Sequence, residues 1–157
     1  MTDVSEHPEL VMAVAQLFGS DPAGIMFLVP FVPDPAGMKV LGTIPVGLPG
    51  WPDTTYIVRS VAKAAGTLRQ GRWQDAAMCA VIAYAPAWQA DPSIQLLRDT
   101  LAAQEMPVLD VLRVHDGRCW SYECPDDDCG PAGPGMPVDP VSDTAIRIAT
   151  EIGQANA

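Results

Sequence analysis

Cys124 and Cys129 stand four residues apart, with Asp126, Asp127 and Asp128 between them. A structural zinc site needs four ligands and commonly takes two from a short Cys-to-Cys spacing of this kind. The other two would have to come from His115, Asp110 or Cys119. Counting along the strands puts His115 near a turn and Cys124 far back from it, so the two do not readily join. The same spacing permits a Cys124 to Cys129 disulfide, or two thiols in a compact loop. Two free thiols is the reading the residues favour, and no metal ligand is assigned.

Asp110 and Glu123 make a second candidate, because the strand register derived below sets them opposite each other. Two adjacent carboxylates could serve as an acid/base pair or hold a divalent cation. At the solvated end of two strands they would be an ordinary, screened pair. A third constellation is basic and aromatic: Arg113 opposite Trp120, flanked by His115, Arg118 and Tyr122. Arginine over an indole face contributes roughly 0.5–1 kcal/mol when exposed, and these residue types make protein interface hot spots. Together with Cys124 and Cys129 they form the candidate functional patch.

Sequence signatures of catalysis are missing. The chain has no GxSxG, no HExxH and no HxE with PCxxC, and His7 and His115 are its two histidines. Gly42, Gly47 and Gly50 lack the GxGxxG spacing, and there is no GxxxxGK[ST], so no nucleotide cofactor is expected.

These residues must be positioned by one domain, since 157 residues with 48% apolar content suffice for one sizeable core. Nineteen acidic against nine basic residues give a formal charge of −10. That charge argues against nucleic acid and against an anionic membrane surface. No apolar run is long enough to span a bilayer, and MTDVSEHPE carries acids where a signal peptide carries bases, so a cytoplasmic location is expected.

The hairpin is the most sharply specified element. Asp116-Gly117 suits a type I′ turn between two strand-forming runs. From it, His115 pairs with Arg118, Val114 with Cys119, Arg113 with Trp120, Leu112 with Ser121, Val111 with Tyr122, Asp110 with Glu123 and Leu109 with Cys124. Alternation puts Leu109, Val111, Arg113, His115, Arg118, Trp120, Tyr122 and Cys124 on one face. Val108, Asp110, Leu112, Val114, Cys119, Ser121 and Glu123 take the other. Neither face is wholly polar, so both should be at least partly covered.

Upstream, Pro8 to Gly19 reads as an amphipathic helix burying Leu10, Val11, Val14, Leu17 and Phe18. Ile25 to Phe31 reads as a strand apolar on both faces, with Pro30 near its end or at an edge. Residues 38–46 form a second strand, hairpin-paired with the first. After the loop 47–53, a helix from Asp53 or Thr54 to Gln70 carries Ile57, Val58, Val61, Ala62, Ala65 and Leu68 on one side. Residues 76–85 make a third strand in which Cys79 is a small core residue. Asp91-Pro92 opens a helix burying Ile94, Leu97 and Leu101 and ending near Glu105. A Cys-, Asp-, Pro- and Gly-rich loop spans 125–140, and a last helix runs over 142–153 with Ile148, Ala149 and Ile152 inward. The order predicts a layered α/β domain: a mixed, mostly parallel sheet of about five strands with packed helices and a C-terminal hairpin.

Leu112-Arg113-Val114, Asp116-Gly117-Arg118, Trp120-Ser121-Tyr122, Cys124-Pro125-Asp126, Cys129, Pro131 and Gly135 follow one another as in a known pattern. The chain resembles an uncharacterised family of actinobacteria and their phages, a domain of unknown function of the DUF4192 type. Leu17-Phe18-Gly19 ahead of Ile25 matches the family's start. Cys119 replaces a usual second tryptophan, and Gly130 stands where a second adjacent cysteine is frequent. The resemblance implies a fold and no activity. The residues favour a non-catalytic protein-interaction or accessory module, docking a protein partner or a second copy. The alternative is a small hydrolase or metal-dependent enzyme with its site near the hairpin.

Overall fold

The computed structural model describes residues 23–35, 37–123 and 130–137. The helices expected over 8–19 and 142–153 lie outside the described residues, as do Cys124 and Cys129. Seven strands and two helices follow in order: β1 (Ile25–Asp34), β2 (Gly37–Val40), β3 (Ile44–Gly47), α1 (Thr54–Thr67), β4 (Met78–Tyr84), α2 (Ala87–Ala103), β5 (Val108–His115), β6 (Arg118–Ser121) and β7 (Met136–Pro137). They build one mixed sheet in the order β2-β1-β4-β5-β6-β7, with β3 also paired to β1. β2 and β3 share one edge of β1, so the seven segments fill six positions.

The sheet is mostly antiparallel, which corrects the expected mostly parallel one. Among the described strands only β4 and β5 run parallel, joined through α2. Unbroken apolar runs such as Ile25–Phe31 report burial on both faces and carry no information on strand direction. β3 and β4 both run antiparallel to β1, one on each side of it. The helix between them therefore crosses over without making a parallel neighbour.

The expected second strand is two. Phe31 to Asp34 pair with β2 and Ile25 to Leu28 with β3, while residues 41–43 break the run, with Gly42 at φ 143°. Pro30 falls at this break, opposite Cys79 on the other side. It is thus in the middle of an internal strand rather than at an end or edge. The proline is tolerated where the neighbouring strand is interrupted.

α1 starts where Asp53 caps it, accepting a hydrogen bond from the Tyr56 amide at 3.0 Å. Its buried stripe is Ile57, Val61, Ala64, Ala65 and Leu68. Val58 and Ala62 are exposed, not inward. α2 begins at Ala87, earlier than Asp91-Pro92 suggested, and keeps Pro92 inside. As the sixth residue of α2, Pro92 cannot bond to the Trp88 carbonyl, and its ring crowds that carbonyl. Ala90, Ser93, Ile94, Leu97 and Leu101 are buried along it.

Both helices bury these stripes on one face of the sheet, against Met26, Leu28, Val46, Val81, Ala83 and Val111. The opposite face carries a second buried cluster that includes Phe27, Val29, Ile82, Tyr84, Leu112, Val114 and Cys119. Phe27 and Tyr84 meet edge-to-face with ring centroids 5.9 Å apart. Both faces of the hairpin are covered, as its two apolar faces demanded. Among the described residues, no helix is long and apolar enough to cross a membrane.

Candidate functional site

The hairpin register is the expected one where it forms. Leu112 pairs with Ser121, Arg113 with Trp120, Val114 with Cys119 and His115 with Arg118. Asp116 and Gly117 take φ of 50° and 72°, both positive as a type I′ turn requires. Tyr122 still donates its amide to the Val111 carbonyl at 2.8 Å, and there the ladder ends. At the start of β5 a bulge shifts the register between Cys79 and Ala80, skipping Leu109. Val108 consequently packs on the helix-covered face and Leu109 is exposed, the reverse of uninterrupted alternation.

Asp110 and Glu123 do not form a carboxylate pair. Asp110 is buried, and its Oδ1 accepts from Ser121 Oγ at 2.8 Å and from the Val111 amide at 2.7 Å. Glu123 is exposed and ion-pairs with Arg98 of α2 at 2.6 Å. The end of the ladder before Glu123 separates them. His115 sits at the turn beside Asp116, 3.4 Å away. Among the described residues, no three His, Cys, Asp or Glu side chains are grouped to hold a metal. Cys79 is fully buried, and burial pushes its thiol up to about 12, away from nucleophilic chemistry.

Arg113, Trp120 and Tyr122 do assemble, with Arg113 buried, Trp120 and Tyr122 half-buried, and Arg118 exposed beside them. The Arg113 side chain, only 5% exposed, lies with its guanidinium carbon 4.1 Å from the Trp120 ring centroid. Its Nε donates to Tyr122 Oη at 3.2 Å and its Nη1 to the Ala85 carbonyl at 3.3 Å. Tyr122 Oη donates in turn to Asp91 Oδ1 in α2. Burial foremost, then the hydrogen bond to Asp91 and its negative charge, push the Tyr122 hydroxyl up to about 12, against an opposing effect of Arg113. Trp120 Nε1 donates to the Gly133 carbonyl at 2.8 Å, and Arg118 Nη1 donates to that of Gly135 at 3.0 Å. A Cβ on Gly135, whose φ is 81°, would lie 2.7 Å from Trp120 Cε2. The segment expected as plain loop thus folds over the indole and contributes β7, paired to β6. Arg113, Arg118, Trp120 and Tyr122 thereby tie β5, β6, α2 and residues 130–137 together.

Residues 8–156 match the family model for "Domain of unknown function (DUF4192)". The chain belongs to this family. No curated protein and no solved structure matches it. For this DUF4192 domain, any site must therefore be argued from its own geometry.

That geometry holds an aromatic group the sequence did not single out. Trp51 is 67% exposed, Trp88 64% and Tyr56 44%. Hydrogen bonds bring their segments to one end of the DUF4192 domain. The Gly24 amide donates to the Tyr84 carbonyl and the Leu48 amide to the Gly24 carbonyl, both at 2.8 Å. Gln89 Nε2 donates to the Leu48 carbonyl at 3.2 Å. Trp88 adjoins Gln89, Trp51 follows Leu48 in the same loop, and the Tyr56 hydroxyl lies at Gly47, where no Cβ would fit. The N-termini of α1 and α2 open at this end. A loop of Gly and Pro around Trp51, with no apolar run to bury it, is the one signal in the sequence that could have pointed here.

Proposed function

We propose that this domain is a non-catalytic protein-interaction module that docks its partner on the end formed by Trp51, Tyr56 and Trp88. The observation carrying this reading is that three large aromatic side chains are each exposed on segments that hydrogen bonds hold at one end of the domain. Single exposed apolar residues are ordinary on any protein, but a cluster marks an interaction surface. Tryptophan and tyrosine are the residues that most often dominate interface energies. Asp53 and Asp91 flank the aromatics, and the chain as a whole carries −10. A second copy would bring the same negative charge, so the partner is a different protein with a basic or neutral contact surface.

The reading as a small hydrolase or metal-dependent enzyme lacks comparable support, because Asp110, Glu123 and His115 each engage a different neighbour. Site-directed photo-cross-linking tests the proposal. A photoreactive residue at position 88 should give a discrete adduct in cells that express the domain, and Trp51→Ser should abolish it. A photoreactive residue at exposed Gln95, farther along α2, should not give that adduct. No adduct from position 88, or the same products from both positions, would contradict it.

A further inference from the structure

We infer that the sheet face opposite α1 and α2 is a docking surface for the chain's own residues 142–153, which lie on it as a helix over β4, β5 and β6. That face carries Phe27, Val29, Ile82, Tyr84, Leu112 and Val114, all buried. Every member of this cluster belongs to a strand, as do Ile25, Met78 and Met136 packed against it. Side chains on one face of a sheet stand roughly side by side, so burial this complete requires a layer above them. Both described helices place their apolar stripes on the other face, against Met26, Val81 and Val111. The cover must therefore come from outside the described residues.

The path of the chain selects the occupant. β7 runs antiparallel to β6 and β6 antiparallel to β5, so β7 has the direction of β5 and of its parallel neighbour β4. The chain leaves β7 at Pro137, paired with Arg118 beside the Asp116-Gly117 turn, and the preceding Met136 already packs on this face. Residues 138–141 then lead to Ser142, a residue type that caps helices. A helix over 142–153 is about 18 Å long, which spans most of the roughly 23 Å of a seven-residue strand such as β4. Ala145, Ile148, Ala149 and Ile152 recur at the spacing that makes one apolar stripe, with Asp143, Arg147, Thr150 and Glu151 on the other side. Residues 8–19 carry a stripe too, but from them the chain enters at β1, on the far side of β4 from β5, β6 and Met136. The inference is independent of protein docking at Trp51, Tyr56 and Trp88.

The test is NMR of the full chain, read as nuclear Overhauser contacts between methyl groups. Contacts from Ile148 and Ile152 to Leu112 and Val114 are expected. They should be absent from an intermolecularly filtered spectrum of labelled and unlabelled protein mixed together. Ile148→Asp should lower the urea midpoint and raise the fluorescence of the dye ANS, which binds exposed apolar surface, whereas Glu151→Gln should do neither. Contacts to Leu112 and Val114 from Leu10, Val14 or Leu17 in place of Ile148 and Ile152 would overturn the proposal. So would contacts seen only between copies, which assign the face to a second molecule, or an unchanged midpoint in Ile148→Asp.

Discussion

Arg113 and Trp120, directly opposite in the β5–β6 hairpin, stack with the guanidinium carbon 4.1 Å from the ring centroid. Because the indole also donates to Gly133 and lies against Gly135, the pair is a structural joint and not an open surface. Trp120→Ala should therefore cost about 2–4 kcal/mol in urea unfolding, somewhat below the range for a fully buried tryptophan. It should leave association of the folded protein unchanged.

Gly135→Ala tests the same joint from the other side. A Cβ there meets the indole ring, and the backbone is in a conformation only glycine adopts without strain. The expected loss is about 1–3 kcal/mol, read from the shift of the unfolding midpoint.

Tyr122 gives the joint a pH signature. Its hydroxyl titrates near 12 in the folded protein against an ordinary value of 10.0. A raised folded value means that the protonated form is favoured by folding, so its contribution is complete below pH 10 and is lost as the pH rises from there toward 12. Tyr122→Phe should lose about 1–3 kcal/mol at neutral pH, because Arg113 Nε is left without its acceptor. The variant's stability should then fall less steeply than the wild type's over that alkaline window, as measured by unfolding at a series of pH values.

Gly66 supplies the opposite sign. It lies within α1, and nothing lies within 4 Å of the Cβ it lacks. Gly66→Ala should stabilise the domain by about 0.5–1 kcal/mol, visible as a higher urea midpoint.

Thiol reactivity separates the cysteines. Cys79 is fully buried and pushed up to about 12, so a thiol reagent should leave it unmodified until denaturant is added. Modification of Cys79 in the native protein, located by mass spectrometry, would contradict its place in the core.

What could be read from the sequence was local. The Asp-Gly turn and the alternation on either side of it specify the pairs from Leu112 to Ser121 without reference to the rest of the chain. The bulge that skips Leu109 depends on how β5 meets β4, a pairing across the length of α2, and residue type does not encode it. Pro92 looked like a helix start because proline favours a first turn; here the turn before it, from Ala87, is held by packing of Ala90 and by Gln89 reaching Leu48. Arg113, Trp120 and Tyr122 were legible as a group, but their exposure was not. Trp120 is covered by residues 130–137, whose glycines read as loop. Trp51 and Trp88 have the same residue type and stand in solvent, a difference set by tertiary contacts alone.

Protein binding by the exposed aromatic end is tested most directly by the affinity of the partner cross-linked at position 88 for the wild type and for the Trp51→Ser, Trp88→Ser double variant. Titration calorimetry should show a loss of at least about 2 kcal/mol, with the urea midpoint of the domain unchanged. An affinity equal to that of the wild type, in a double variant that remains folded, would contradict the account.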